Sequence, residues 1–491
     1  MKPVRLALLA PLAPVLGLTL ALTLALAGPA AAQAPYGLTA PPPPGLDRAA
    51  AQRETRALLE ALIRVDTRNP PGNERAAAEV IAAALAGVEG VTVHVLDAGD
   101  GRANLVARLA ATRPTARPVV VMGHMDTVGV QEDRWSTPPL EPTERDGYLY
   151  GRGAIDDKGM LAAAVVALRH LAARRDALAR DVVLLATAAE EGGPPVGVDL
   201  VLERHRDLLG DPEFALNEGG RVRLRDGRVE VVGIQTTEKV PYNVRLTATG
   251  PSGHGSVPLP DNALAALARA CARLHAWRAP VRLNETTRLS FRGLAAVEAD
   301  PATRQAMLDV AGDDPARAAA AADLLSRDPG HAAVLRSAAA LTLLQGGIRS
   351  NVIPSEGGAT FNLRVLPGDD PAALLAAMQE AAGEPTVTLA LDRPPAAPPA
   401  PSPVDSALYR ALADAATTMA PGAVVVPSMS TGATDGAALR AAGIPTYGIL
   451  PFPLEAEDSR RMHGDDERVP LPALGWGAEL LYRTLQGVAA R

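Results

Sequence analysis

Five short polar segments, far apart in the chain, each follow a strand-like apolar run or lie in a glycine-rich loop. Together they supply two histidines and several carboxylates, which are the ligands that a pair of zinc ions requires. The segments are GHMDTV at 123–128, GRGAIDDKG at 151–159, ATAAEEGG at 186–193, LNEGG at 216–220 and MHGDDE at 462–467. Ligands gather at the carboxyl ends of strands in an α/β sheet, so the pattern predicts one two-metal hydrolase site.

Length and composition are those of a globular protein with more than one domain. The chain has 491 residues, which is more than a single hydrophobic core usually organises. Apolar residues make up 47% and charged residues 21%, and the formal net charge of −7 comes without a basic tract. We therefore expect no nucleic-acid partner. The single cysteine, Cys271, excludes an internal disulfide and a cysteine-rich metal site.

Residues 1–34 match an export signal. Lys2 and Arg5 precede an apolar run at 6–27, and Ala-Gln-Ala at 32–34 has the small-residue pattern of a cleavage site. Cleavage after Ala34 predicts an exported protein, periplasmic or secreted, with no stable membrane insertion. An uncleaved membrane anchor is the alternative.

The remaining chain divides into three segments by pattern. Residues 35–239 alternate helix-like and strand-like runs, which predicts the first part of an α/β catalytic domain with a mixed sheet. Residues 240–393 change to an α+β pattern of the βαββαβ type, with a further alanine-rich helical stretch at about 295–340. A proline-rich segment then leads into residues 394–491, the second part of the catalytic domain. The middle segment is therefore predicted to be an inserted module.

The metal-ligand candidates are ambiguous when each is considered alone. His124, one residue from Asp126, fits a metal ligand with a carboxylate neighbour, or a core histidine beside a surface aspartate. Asp156 fits a carboxylate that bridges two cations, or a helix N-cap. Glu190 and Glu191 fit a general base beside a metal ligand, or a solvated loop pair.

The weight of the remaining candidates comes from the set as a whole. Glu218 and His463 add one ligand for each metal ion. His254 lies in the glycine-rich segment GPSGHGSVP and could polarise a substrate carbonyl, or simply contact solvent. Asn351, Arg364 and the TGATDG loop at 431–436 are candidates for holding a substrate carboxylate, because arginine binds carboxylates through two hydrogen bonds.

With these motifs in this order, the chain resembles the family of di-zinc metallopeptidases that includes acetylornithine deacetylase, succinyl-diaminopimelate desuccinylase and carboxypeptidase S. Glutamate carboxypeptidase and aminoacylase are relatives of this family. The resemblance runs from about Leu58 to Leu485. It implies an aminopeptidase-like catalytic domain with an inserted lid or dimerisation domain. The sequence differs from smaller relatives in the longer insert, and from some relatives in having Glu218 where they carry aspartate.

The resemblance implies a role for each matching ligand. His124 and Glu218 hold one zinc ion, Glu191 and His463 hold the other, and Asp156 bridges both. Cobalt or manganese are the expected substitutes for zinc.

The resemblance also implies roles outside the ligand set. Asp126 orients a metal-bound imidazole, and Glu190 is the general base. The peptide bond between Asp156 and Asp157 is expected to be cis. His254 reaches the active site of a neighbouring subunit, which implies a homodimer through the inserted module.

Two substrate-binding positions match the family pattern more loosely. They are Asn351 and Arg364.

The sequence therefore predicts an exported zinc metallopeptidase that hydrolyses an amide bond next to a free carboxylate, of the carboxypeptidase or dipeptidase type. Its substrates are peptides or N-acyl amino acids. One alternative is an N-acyl-amino-acid amidohydrolase, and another is a non-catalytic exported binding protein. A serine hydrolase is disfavoured because no G-x-S-x-G motif occurs.

Overall fold

The computed structural model describes residues 35–490. The predicted export signal at residues 1–34 lies outside this range. Within the described range, no helix combines the length and the apolar character needed to cross a membrane.

Helices cover the faces of two principal sheets. The helices are, in chain order, α1 (Arg48–Ile63), α2 (Glu74–Leu85), α3 (Lys158–Ala172), α4 (Val198–Arg204), α5 (Arg206–Leu209), α6 (Ala263–Ala276), α7 (Glu285–Leu294), α8 (Pro301–Val310), α9 (Pro315–Leu325), α10 (Pro329–Leu335), α11 (Pro371–Ala382), α12 (Ala407–Met419), α13 (Gly436–Ala441), α14 (Ala456–Ser459) and α15 (Leu471–Ala489).

The strands alternate with these helices along the chain. They are β1 (Arg68–Asn69), β2 (Val91–Gly99), β3 (Arg102–Leu109), β4 (Val119–His124), β5 (Thr127–Val128), β6 (Thr143–Arg145), β7 (Tyr148–Tyr150), β8 (Val182–Thr187), β9 (Phe214–Arg225), β10 (Arg228–Glu238), β11 (Val240–Thr249), β12 (Gly253–His254), β13 (Ala338–Gly346), β14 (Val352–Ile353), β15 (Glu356–Val365), β16 (Val387–Leu391), β17 (Val424–Ser430), β18 (Thr446–Leu454) and β19 (Arg468–Pro470).

The large sheet is mixed and has the strand order β17-β10-β18-β9-β4-β8-β3-β2. Strands β4 and β8 are buried at every residue, because helices or loops cover both faces of the sheet there. Parallel pairing aligns His124 at the end of β4 with Thr187 at the end of β8. Strand β9 runs parallel to β4 and carries Glu218 just beyond the residues that pair with it. The predicted metal ligands therefore meet at the carboxyl ends of these parallel strands.

The small sheet is antiparallel and has the order β13-β15-β11-β16. With α6 and α11 it forms a βαββαβ unit, and a separate hydrophobic cluster lies between this sheet and these helices. Strand β11 alternates buried and exposed residues, as expected for a sheet with one covered face. The mixed α/β fold with a second α+β unit is confirmed, and the predicted domain boundaries stay a prediction.

Helices α7 to α10 form a further helical segment with its own hydrophobic cluster. Helices α8, α9 and α10 each begin at Asp-Pro, where the aspartate side chain accepts backbone N–H groups and proline occupies the first turn. The expected helical stretch at 295–340 was too long at its end. Residues 338–340 are three alanines, yet they pair with β15 as part of β13, because tertiary pairing overrides helix propensity.

Candidate metal centre

His124 lies at the end of β4, and each of its two ring nitrogens has its own contact. The side chain is 2% exposed. Its Nδ1 lies 3.0 Å from the backbone oxygen of Asp126, and its Nε2 lies 3.0 Å from Oδ1 of Asp156. A backbone carbonyl accepts only from an N–H, so Nδ1 carries a proton, and Nε2 is the ring nitrogen that is available to bind a metal ion.

Asp156 lies between two imidazoles. Its Oδ1 faces Nε2 of His124, and its Oδ2 lies 3.1 Å from Nε2 of His463. The peptide bond between Asp156 and Asp157 is cis, as the resemblance implied. A carboxylate with each oxygen directed at a different histidine has the arrangement needed to bridge two cations.

The other predicted ligands line the same cleft. Oε1 of Glu191 lies 3.1 Å from Nε2 of His463. Ligand atoms of His124, Asp156 and Glu191 all lie within 4.8 Å of one another. The cleft has a volume of about 340 Å³, and its walls include the five residues Asp156, Glu190, Glu191, Glu218 and His463.

The cleft favours positive charge. Burial, and after it the negative charge of Asp156, raises the pKa of Glu218 to about 8. Burial, with the nearby carboxylates among the further causes, raises the pKa of Glu190 well above its usual range. Hydrogen bonds to Asp156 and Glu191 raise the pKa of His463 to about 10. All three shifts stabilise the protonated form, because crowded carboxylates repel one another unless a proton or a cation lies among them.

The donor set fits a pair of zinc ions. Zinc accepts imidazole nitrogen and carboxylate oxygen, and each half of this set contains one histidine and one glutamate. His124 and Glu218 would hold one ion and His463 and Glu191 the other, with Asp156 between them. The described residues therefore fit the implied metal pair.

Asp126 contacts His124 and also supports the neighbouring loop. Its carboxylate Oδ1 lies 3.5 Å from Nδ1 of His124. The carboxylate also accepts hydrogen bonds from the backbone N–H groups of Glu190 and Glu191, at 3.1 Å each, and from Nδ2 of Asn69 at 2.8 Å. Asp126 thus couples the position of His124 to the loop that carries the two glutamates.

A buried polar network contacts the loop that carries Glu190 and Glu191. Nη1 of Arg102 donates to Glu74 at 2.9 Å, and Nη2 donates to Oδ1 of Asn69 at 2.8 Å. Glu74 also accepts the backbone N–H of Ala189 at 3.3 Å. The sequence analysis did not single out the NPPGNE segment at 69–74. The burial of Glu74, which makes a partner necessary, is visible only in the structure.

Glu467, in the last of the five segments, holds the loop that carries Asp156. Its carboxylate accepts the backbone N–H groups of Gly153, Ile155 and Asp156 at 2.7 to 3.0 Å. Nη1 of Arg152 donates to it at 2.7 Å, and both side chains are almost fully buried. A buried carboxylate with four donors fixes the loop, and sequence analysis did not assign it this role.

Three predicted residues lie apart from the ligand group. His254 is exposed in β12, and its Nδ1 lies 2.7 Å from Oγ of Ser256. The backbone oxygen of Asn351 accepts the N–H of Gly255, so Asn351 and His254 are neighbours. Arg364 lies in β15 and donates to Asn362 at 2.7 Å. Within residues 35–490, none of the three forms a hydrogen bond or ion pair with a predicted metal ligand.

Replacing Glu467 tests whether its hydrogen bonds to the loop that carries Asp156 contribute to metal binding. We expect Glu467→Gln to weaken metal binding by roughly 10- to 100-fold, because a residue that orients a ligand has effects of this size. The melting temperature should fall as well, since Arg152 is left without its buried partner. Zinc titration by calorimetry and thermal unfolding measure the two effects. Glu457→Gln is the control, because Glu457 is 62% exposed. Unchanged zinc affinity in Glu467→Gln would contradict the assignment.

Sequence comparison agrees with this geometry. The model of peptidase family M20/M25/M40 matches residues 120–487. Human N-fatty-acyl-amino acid synthase/hydrolase PM20D1 is 25% identical over 382 residues, which cover 76% of this chain and 74% of that protein. The probable carboxypeptidase S-like 2 of Dictyostelium discoideum is 28% identical over 367 residues, covering 72% of this chain and 68% of that protein.

The fold has solved counterparts. The crystal structure of the M20 family metallo-carboxypeptidase Sso-CP2 from Sulfolobus solfataricus superimposes with a TM-score of 0.65 at 17% identity, covering 89% of this chain and 99% of the other. The family match spans most of the chain and includes its ligand-bearing strands. The protein therefore belongs to peptidase family M20/M25/M40 and is a hydrolase of amide bonds.

Proposed function

We propose that this hydrolase cleaves an amide bond next to a free carboxylate, as a carboxypeptidase or dipeptidase, with two zinc ions at the ligand set. The observation that carries the proposal is the position of Asp156 between two histidines in a cleft that also contains Glu190. Zinc ions held there would polarise a carbonyl and make water more acidic.

Glu190 has the properties of the general base and acid. Its side chain lines the cleft without being one of the predicted ligands, and its backbone N–H is fixed by Asp126. It takes a proton from the attacking water and returns this proton to the leaving amine. A carboxyl whose pKa is raised by burial suits the return of the proton to the leaving amine.

The second candidate is an N-acyl-amino-acid amidohydrolase. It shares the chemistry and differs only in the group on the acyl side of the amide bond. Similarity to a relative whose name denotes an N-fatty-acyl-amino acid synthase/hydrolase supports it. The non-catalytic alternative conflicts with the retention of Glu190 beside a full ligand set.

The inserted module is proposed to form a homodimer. Strand β13 is an outer strand of the small sheet, and its unpaired edge is a template for another strand. Its side chains Leu343 and Leu344 are 55% and 62% exposed, and Ile348 just beyond it is 88% exposed. Pairing of two such edges would cover this apolar surface. His254 would then act in the active site of the other subunit.

Export is proposed from residues 1–34 alone. An exported protein whose sequence does not begin at Pro35 would contradict the cleavage position.

Amino-acid release from dipeptides and N-acyl amino acids tests the proposed function. We expect chelator-sensitive release that zinc restores, and the preferred group of substrates separates the two candidates. Glu190→Gln should lower kcat by roughly 10²- to 10⁴-fold at unchanged zinc content, because proton transfer is lost while the ligands remain. Glu203→Gln, on an exposed helix position, is the control. Full activity of Glu190→Gln would refute its role.

Mixing two inactive variants tests whether His254 acts across the dimer. We expect His254→Ala and Glu190→Gln each to be strongly impaired. After subunit exchange at equal amounts, about one quarter of wild-type activity should return, since half of the dimers are mixed and each has one complete site. No recovery in verified mixed dimers would show that His254 does not act in trans.

A further inference from the structure

A second compartment opens beside the metal cleft. It has a volume of about 290 Å³ and shares Gly219, Arg221 and Ser430 with the cleft. The floor is the outer part of the large sheet, formed by β9, β10 and β17. The two spaces therefore adjoin each other at these three residues.

Helix α7 forms the roof of this compartment. Ser290 and Leu294 face the space from the helix. The helix lies close to β17 because Gly293 has no side chain, and a Cβ at that position would lie 2.3 Å from Cγ1 of Val426. The contact is fixed further by Thr286, whose Oγ1 lies 2.8 Å from Oγ1 of Thr236. The roof helix directly precedes the helical stretch at about 295–340 that the sequence marked as an addition to the βαββαβ unit.

Arg221 lies at the junction of the two spaces, where its positive charge acts on Glu218 without forming an ion pair within the described residues. Its guanidinium donates to Sδ of Met462 at 2.9 Å, and sulfur is a weak acceptor. Within residues 35–490, Arg221 forms no ion pair. Two residues along the strand, Arg223 pairs with Glu230 at 2.9 Å. Arg221 therefore borders both spaces without an ion pair, whereas Arg460, which also forms no ion pair within the described residues, borders only the cleft.

Gln235 contributes a buried acceptor to the same wall. The residue is 1% exposed, and its Nε2 donates to Glu238 at 2.8 Å. This contact fixes the orientation of the amide, because a carboxylate accepts only from the NH₂ group. Oε1 is left without a partner within the described residues. A buried acceptor of this kind is satisfied when a ligand supplies a donor.

We propose that Arg221 binds the free carboxylate of the substrate and that the compartment under α7 receives the side chain of the released amino acid. A guanidinium binds a carboxylate through two parallel hydrogen bonds. The walls include Val426 and Leu294, so uncharged side chains of the size of leucine or methionine fit better than glycine. The inference rests on the proposed function and names the group that selects its substrates.

Substitution of Arg221 tests the carboxylate contact. With a substrate from the active panel, we expect Arg221→Gln to raise KM by roughly 10- to 100-fold with zinc content unchanged, because a charge-assisted hydrogen bond is lost. Arg221→Lys should recover part of the loss. Arg225→Gln is the matched control, since Arg225 lies on the same strand and pairs with Glu230 at 2.8 Å. A KM of Arg221→Gln equal to the wild-type value overturns the proposal.

Filling the compartment tests the side-chain site. We expect Ser290→Phe to lower the ratio of kcat/KM for a leucine-ended substrate to that for a glycine-ended substrate by roughly tenfold, as lost space excludes the larger side chain. Circular dichroism and the melting temperature check that the variant is folded. An unchanged ratio in a folded variant overturns the side-chain assignment.

The activity of the wild-type protein distinguishes a failure of the proposed function from a failure of this inference. If zinc-loaded wild-type protein hydrolyses no carboxylate-bearing amide, the proposed function and this inference both fail. If it hydrolyses such amides and the Arg221 and Ser290 variants behave like wild type, only this inference fails.

Discussion

The carboxylate of Asp156, held between the imidazoles of His124 and His463, is the constraint on which the rest of the structure depends. Burial places several carboxylates around it, and such a group is unfavourable without positive charge. The sheet brings the ligands together at the carboxyl ends of its strands, so the fold itself favours cations at this place. Two divalent cations held there would supply the Lewis acid for amide hydrolysis.

Two buried carboxylates hold the loops that carry the predicted metal ligands. The carboxylate of Glu467 accepts hydrogen bonds from backbone N–H groups of the loop that leads to Asp156. The carboxylate of Asp126 accepts those of Glu190 and Glu191. Both supports are buried carboxylates satisfied by several donors, which makes them rigid. These hydrogen bonds hold the loops that carry the ligands, which is how residues beyond the ligands themselves contribute to metal binding.

The sequence predicted the ligand set because each ligand follows a recognisable strand or glycine-rich loop, as β4 and β8 illustrate. The βαββαβ pattern was also predictable, because apolar and polar residues alternate along strands such as β11. The support from Glu467 was not predictable, because its partners are backbone groups more than 300 residues away in the chain. The compartment under α7 depends on how a helix packs on β17, and periodicity does not encode such packing. The proposed action of His254 in the active site of another subunit would depend on a second chain.

Zinc titration of metal-free wild-type protein and of Asp156→Asn tests the central claim most directly. The account predicts two zinc ions per wild-type chain. Because Asp156 serves both ions, its replacement should weaken both binding events by at least roughly tenfold. One ion per wild-type chain, or an Asp156→Asn variant that keeps both affinities, would contradict the bridging role from which the mechanism follows.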